Sequence, residues 1–159
     1  MKILDCTFRD GGYYTNWDFD MVMVHDYIES MNELPIDFIE LGYRSKSLAG
    51  YYGEFFYCPE YLLKEIRRKS AKKLAVMLNE KDTDSENVDL LLRPVIGLID
   101  LVRIAVNPDR FDSSLILAKS IKDLGFEVGF NIMYMSTWAK RKDFLNKLKL
   151  VDGIIDYLY

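Results

Sequence analysis

The sequence predicts an α/β fold in which β–α repeats build a parallel sheet. Two observations carry this reading. Short apolar runs recur along the chain, separated by stretches whose apolar residues fall at helical spacing. The runs are continuous and do not alternate with polar residues, as expected of strands covered on both faces.

The first strand is read over Ile3 to Phe8, where Cys6, Thr7 and Phe8 suit a pleated backbone. Arg9-Asp10 then stands directly before Gly11-Gly12, a strong local turn signal. A guanidinium and a carboxylate are thus expected side by side at a strand end, the end where α/β folds bind ligands. Tyr13 to Trp17 reads as a loop, and Asn16 or Asp18 can cap a helix starting near Asp18. Met21, Val24, Ile28 and Met31 form its apolar stripe, and Pro35 ends it.

Phe38 to Gly42 is the second strand, followed by an aromatic-rich connection over residues 43–58. Pro59 opens a helix reaching about Lys69. Lys73 to Leu78 is the third strand, and a polar loop with Asp82, Thr83, Asp84 and Ser85 leads to a short helix around Val88–Leu92. Leu101 to Val106 is the fourth strand. Asp112 or Ser113 caps the next helix, with Gly125 at its end. Glu127 to Met133, a helix near Thr137–Lys149, and a strand over Ile154 to Tyr159 complete the pattern.

Two architectures fit: an open doubly wound sheet, or part of an eight-unit barrel. A full barrel takes about 250 residues, and the chain has 159. The run Ile154 to Tyr159 also leaves a strand at the chain end. The expectation is one unit over residues 1–159, an N-terminal portion of an incomplete barrel with about five and a half β–α units.

Composition narrows the function. Half of the residues are hydrophobic and 29% are charged, which fits a globular domain. A net charge of −4 gives no reason to expect nucleic acid or a membrane surface. Cys6 and Cys58 make no metal or CxxC spacing, and two thiols suit a reducing compartment, so a cytoplasmic location is expected. The basic run Lys140, Arg141, Lys142, Lys147 and Lys149 reads as a solvated helix face. Gly11-Gly12 lacks a phosphate-cradle spacing, and His25 reads as an ordinary packed histidine.

Asp5, Glu40 and Arg103 are charges set within apolar strand runs, so they must be paired or face a polar cavity. Arg9 with Glu40 is the expected pair, because a carboxylate can hold the guanidinium by two donors and aim the rest at a ligand. Asp5, deepest in its strand, reads as structural. Asp10 is a plausible ligand for a hard divalent cation, although such ions take about six ligands. Tyr51, Tyr52, Phe55 and Phe56 read as a satellite core or contact surface more than as a lid.

The stretch Leu4 to Gly12, with Phe38-Ile39-Glu40-Leu41-Gly42 and Val128 to Met133, resembles the DRE-type metal-dependent aldolase/lyase TIM barrels, the group of HMG-CoA lyase, isopropylmalate synthase and 4-hydroxy-2-oxovalerate aldolase. The resemblance implies a divalent metal (Mg or Mn) at Asp10 and an enolate-stabilising Arg9 oriented by Glu40. It places Tyr13 at the offset of a proton-transfer histidine. Arg103 and Asn131 would line the substrate mouth. The implied reaction is an aldolase or lyase step on a 2-oxo acid or acyl thioester, through a metal-stabilised enolate. The family's His-x-His metal ligands have no counterpart in this chain, which sets its activity as an isolated 159-residue unit in question. Two expectations compete: a noncatalytic α/β binding or regulatory module with flavodoxin-like strand order 2-1-3-4-5 and a phosphate or protein partner, and an interaction protein without the chemistry, or a fragment completing itself as a homo-oligomer through exposed strand edges.

Overall fold

The structure, a computed structural model, describes residues 1–83 and 85–159; Asp84 of the expected polar loop lies outside the described residues. Six parallel strands lie side by side in chain order, β1 (Leu4–Asp5), β2 (Phe38–Tyr43), β3 (Lys73–Asn79), β4 (Leu101–Val106), β5 (Glu127–Ile132) and β6 (Tyr157–Leu158). This order overturns the flavodoxin-like alternative, which needs the first strand between the second and third.

The sheet curls. In a flat sheet, β2 and β6 would stand four strand spacings apart, roughly 19 Å. Instead the rings of Phe38 and Tyr157 meet edge to face, with centroids 5.5 Å apart. Lys73 on β3 likewise reaches Glu127 on β5 across the concave side. Phe38, Leu101 and Tyr157, from alternate strands, pack with Ala75 into one layer inside the curl. One step higher, Glu40, Arg103 and Tyr159 form a second layer, again from the second, fourth and sixth strand segments. Stacking of side chains from alternate strands is how a (β/α) barrel fills its interior, so the chain is an incomplete barrel.

Residues of opposite parity, such as Ile39, Leu74, Val102, Ile104, Val128 and Phe130, belong to the large core under the helices. That core explains the unbroken apolar runs: one parity meets the helix layer and the other fills the barrel. The outer layer comprises α2 (Met21–Asn32), α4 (Glu60–Lys69), α5 (Val88–Leu92) and α6 (Phe111–Asp123), which bury Val24 and Ile28, Leu62, Leu63 and Ile66, Val88 and Leu92, and Leu117 and Ile121. Each such side chain taken from water contributes about 1.5–3 kcal/mol before entropy. His25 on α2 bonds Glu65 on α4 at 2.8 Å, a helix–helix contact. Among the described residues no helix is long and apolar enough to cross a membrane.

Several expected boundaries are corrected. β1 is two residues long, and Thr7–Thr15 is a helix, α1, that contains Arg9, Asp10 and both glycines. Asp5 ends the strand by accepting bonds from the Thr7 backbone N–H (3.1 Å) and hydroxyl (3.0 Å), a local turn that feeds the helix. Tyr27 also bonds Asp5, at 2.6 Å, which agrees with a structural role. Gly12 is not a turn residue: a Cβ there would lie 2.1 Å from the Trp17 ring. The cap of α2 is Asp20, which accepts from Val22 and Met23, and not Asn16 or Asp18.

The connection 43–58 contains a short helix, α3 (Glu54–Tyr57), held by Arg44, whose guanidinium donates to the carbonyls of Leu91, Tyr57 and Cys58. The helix expected over Thr137–Lys149 is broken into 3₁₀ turns and α7 (Phe144–Lys147), because Asp143 takes a left-handed conformation at φ 57°. Arg141 and Lys147 of the basic run pair with Asp109 and Asp112, so part of that face is neutralised. β6 is confined to Tyr157–Leu158.

Candidate functional site

The charges expected inside the strands meet on the concave side. Glu40 is fully buried and accepts three hydrogen bonds. Arg9 Nε donates to Oε2 at 2.9 Å, while Arg103 donates through Nε to Oε1 at 2.8 Å and through Nη2 to Oε2 at 2.7 Å. The Arg9–Glu40 pair is therefore present. The two-donor grip, however, belongs to Arg103, and its guanidinium also lies over the Tyr159 ring, 4.9 Å from the centroid. One carboxylate serving two guanidiniums keeps neither cation unpaired in a buried layer.

Arg9 sits in the first half of α1, with its side chain 13% exposed. Its Nη1 bonds Asp10, and its backbone carbonyl accepts from Trp17 Nε1 at 3.0 Å. Burial alone would lower the Arg9 pKa; the bonds and charges of Glu40 and Asp10 more than offset it, and the net shift is upward. Its Nη2 makes no hydrogen bond among the described residues and is not a buried unpaired atom, which leaves one edge of the guanidinium to solvent. The Asp10 side chain is 55% exposed and accepts from Cys6 Sγ at 3.1 Å. Burial, reinforced by Asp10, pushes the Cys6 thiol up to about 11.

Tyr13 follows on the same helix. Its hydroxyl lies 2.8 Å from that of Tyr43, which closes β2 and is only 5% exposed. Trp17 packs edge-on against both rings, at 4.7 Å and 5.7 Å. Phe55 and Phe56 are buried and extend this aromatic cluster, while Tyr51 is exposed and bonded to Asp18. Phe55 and Phe56 thus belong to the main core beside the site, with Tyr52 packed against it, and do not form the separate satellite core that was one of the expectations.

Asn131 lies further round the rim. β-register sets Asn79, Ala105 and Asn131 in one row, two residues beyond the row of Met77, Arg103 and Gly129. That step is roughly 6.6 Å along the strands. A cavity of about 240 Å³ opens at this level, with Asn79, Lys81, Ala105, Asn107, Arg110 and Tyr134 among its walls. Glu80, also in its wall, is buried; Arg110 faces its Oε1 as an ion pair outside hydrogen-bond geometry. Burial raises the Glu80 carboxyl and Arg110 pulls the other way, with the net shift upward.

A divalent cation takes about six oxygen or nitrogen ligands. Both oxygens of Asp10 are engaged, and among the described residues no group of three or more His, Cys, Asp or Glu side chains gathers to hold an ion. Asp10 is the right kind of donor, but these residues do not fit a metal centre of their own.

Arg9, Glu40, Arg103, Asp10 and Tyr13 are thus assembled at one end of the curl, and Asn131 one row above Arg103. Sequence reasoning missed Tyr43 and the carboxamides Asn79 and Asn107. Asn79 and Asn107 could have been read as strand-end residues beside a mouth. Tyr43 could not, because a β-bulge sets its direction: the register shifts between Glu40 and Gly42.

No protein-family model matches the sequence, and no curated protein matches it. Among solved structures, the chain is 56% identical to the N-terminal domain of a candidate aldolase from Bacteroides vulgatus. That match covers 99% of this chain and 53% of the other, with a TM-score of 0.97, so the chain spans about half the length of that relative. The carboxyl transferase domain of Rhizobium etli pyruvate carboxylase, solved with pyruvate, shares the fold at 13% identity and a TM-score of 0.69, over 99% of this chain and 30% of that one. The fold is aldolase-like and of the TIM-barrel type.

Proposed function

We propose that this chain supplies the enolate-handling half of an aldolase- or lyase-type active site acting on a 2-oxo acid. The observation that supports it is Arg9, clamped by Glu40 and Asp10 at the barrel mouth with one guanidinium edge unused. Making or breaking a carbon–carbon bond beside a carbonyl develops negative charge on that oxygen. A preorganised guanidinium lowers the energy of such charge without reorganising. In this reading Arg9 meets the oxyanion, Glu40 and Arg103 hold Arg9 in place, and the cavity lined by Asn79, Ala105 and Asn107, one row beyond Arg103 along the strands, receives the rest of the substrate. The name of the Bacteroides vulgatus relative supports the reaction class.

The alternate-strand members of each interior layer come from the second and fourth strands and the segment Tyr157 to Tyr159, three positions where a closed barrel has four. We therefore propose that further β–α units complete the barrel. A magnesium or manganese ion at Asp10, and with it an acyl thioester substrate, requires groups from outside the described residues.

The test is calorimetric titration of the chain with oxalate, a mimic of the pyruvate enolate, in wild type and Arg9→Lys. Lys keeps the charge but not the fork, so the variant is expected to keep its melting profile and to lose oxalate binding at least tenfold. Equal binding by both proteins refutes the role of Arg9, and unfolding of Arg9→Lys makes Arg9 a structural residue.

A further inference from the structure

We infer that the rim cavity beyond Arg103 holds the anionic end, phosphate or carboxylate, of the aldehyde joined to or released from the enolate. The inference rests on the enolate reading above and adds the class of the second substrate.

The cavity belongs to the chain segments that leave β3 and β4. Asn79, the last residue of β3, pairs in register with Ala105 of β4, and Lys81 and Asn107 follow in the cavity wall. Its volume of about 240 Å³ compares with about 30 Å³ for one water in the liquid, so a ligand of several heavy atoms fits. It stands one row, roughly 6.6 Å, beyond Arg103. A short carbon chain bridges that step.

Donors dominate the wall. Lys81 is exposed and makes no hydrogen bond or ion pair among the described residues. Arg110 turns its Nε toward Glu80, while its two terminal nitrogens make no hydrogen bond among the described residues, and half of its side chain is exposed. The Asn107 carboxamide oxygen accepts from the Asp109 N–H at 3.0 Å, so its NH₂ is the group left to offer. Arg110 is also the N-cap of the 13-residue α6, which brings the positive end of that helix dipole to the same wall.

Glu80 is the acidic side chain in the wall, and it is a poor counter-ion for Arg110. It is buried, and its Oε1 lacks a hydrogen bond. Burial works against its charge, and so does the nearby Asp82, which is not in the wall. The other acids close to Arg110 in the chain are engaged elsewhere, Asp109 with Arg141 and Asp112 with Lys147.

Two cations, an amide donor and a helix start, set against one buried carboxylate, suit an anion. Arginine offers a fork of parallel donors to carboxylate or phosphate, and lysine adds a point charge. An apolar acceptor would take water from these groups and give no partner in return. The anionic end takes no part in the bond change. In condensation the enolate double-bond pair forms the new C–C bond, the aldehyde C=O pair passes to its oxygen, and that oxygen takes a proton from water.

The experiment is calorimetric titration of the full chain with glycerol 3-phosphate and with glycerate, unreactive three-carbon probes, and with glycerol as the neutral control. Low ionic strength keeps screening small. At least one anion is expected to bind more tightly than glycerol, and the tighter of the two identifies the end group as phosphate or carboxylate. Arg110→Gln should weaken that binding at least tenfold, as loss of a charge-assisted contact does. Lys81→Gln should weaken it about threefold, and because Lys81 is exposed this variant carries the test if Arg110→Gln does not fold. Glu80→Gln should tighten binding, since it removes the competing carboxylate. Glycerol binding as tightly as both anions, or anion binding unchanged in Lys81→Gln and Arg110→Gln, overturns the inference; binding in Glu80→Gln no tighter than in wild type overturns the restraint of Arg110 by Glu80. Oxalate separates the two readings. Oxalate binding lost in Arg9→Lys, with anion binding that ignores Lys81 and Arg110, sinks only the rim site. Arg9-independent oxalate binding, with glycerol 3-phosphate or glycerate binding that needs Lys81, sinks only the enolate reading.

Discussion

Replacing Glu40 by Gln removes the charge on which two guanidiniums converge. The side chain keeps its shape, but one acceptor oxygen becomes an NH₂ donor facing other donors. Glu40 is fully buried, and the side chains of Arg9 and Arg103 are 13% and 6% exposed, so water reaches the stranded cations poorly. Three bonds of 2.9, 2.8 and 2.7 Å are affected. Breaking a buried pair by removing one partner costs about 3–5 kcal/mol. For a domain of this size each kcal/mol moves the melting temperature by about 2–4 °C. The expected fall is therefore about 6–20 °C, read by circular dichroism at 222 nm. Adding Arg103→Met should recover part of that loss, because one of the stranded cations is then gone and neighbouring changes are not additive. A Glu40→Gln protein melting within about 2 °C of wild type refutes the claim that this carboxylate ties the inner layer together.

Two glycines that are adjacent in sequence should behave oppositely. Gly12→Ala meets the Trp17 ring at 2.1 Å and is expected to destabilise by about 1–3 kcal/mol. Gly11→Ala meets nothing within 4 Å inside α1 and should stabilise by about 0.5–1 kcal/mol; both are measured by guanidinium denaturation, and equal effects contradict the packing argument. Cys6, with its thiol pushed up from 9.0 to about 11, should alkylate about a hundredfold more slowly at pH 8 than an unperturbed thiol, because the thiolate is the nucleophile. The rate should climb with pH up to about 11 and should be faster in Asp10→Asn, which removes a charge and a hydrogen bond; an Asp10→Asn rate equal to wild type contradicts the pairing.

How far the sequence could be read varies along the chain. Strands β2 to β5 were legible because each is covered on both faces, so every residue in the run must be apolar or paired, and Glu40 and Arg103 stand out for that reason. Leu4 to Gly12 misled: a β-rich composition and a Gly pair signal strand and turn locally. The observed helix depends on Asp5 turning the chain at Thr7 and on Trp17 packing over Gly12, contacts between residues whose spacing alone says nothing about each other.

The pattern of apolar runs and helical stripes determined by itself that this is a parallel α/β chain, and Glu40 and Arg103, two of the three charges in those runs, determined that a polar layer lies inside it. Strand order, the curl that brings Phe38 to Tyr157, the grip of Arg103 on Glu40 and the turning of Tyr43 toward Tyr13 were decided only in three dimensions. Burial is a property of each residue and leaves a mark on composition. Pairing and register belong to residues tens of positions apart, and one inserted residue in β2 is enough to redirect a side chain.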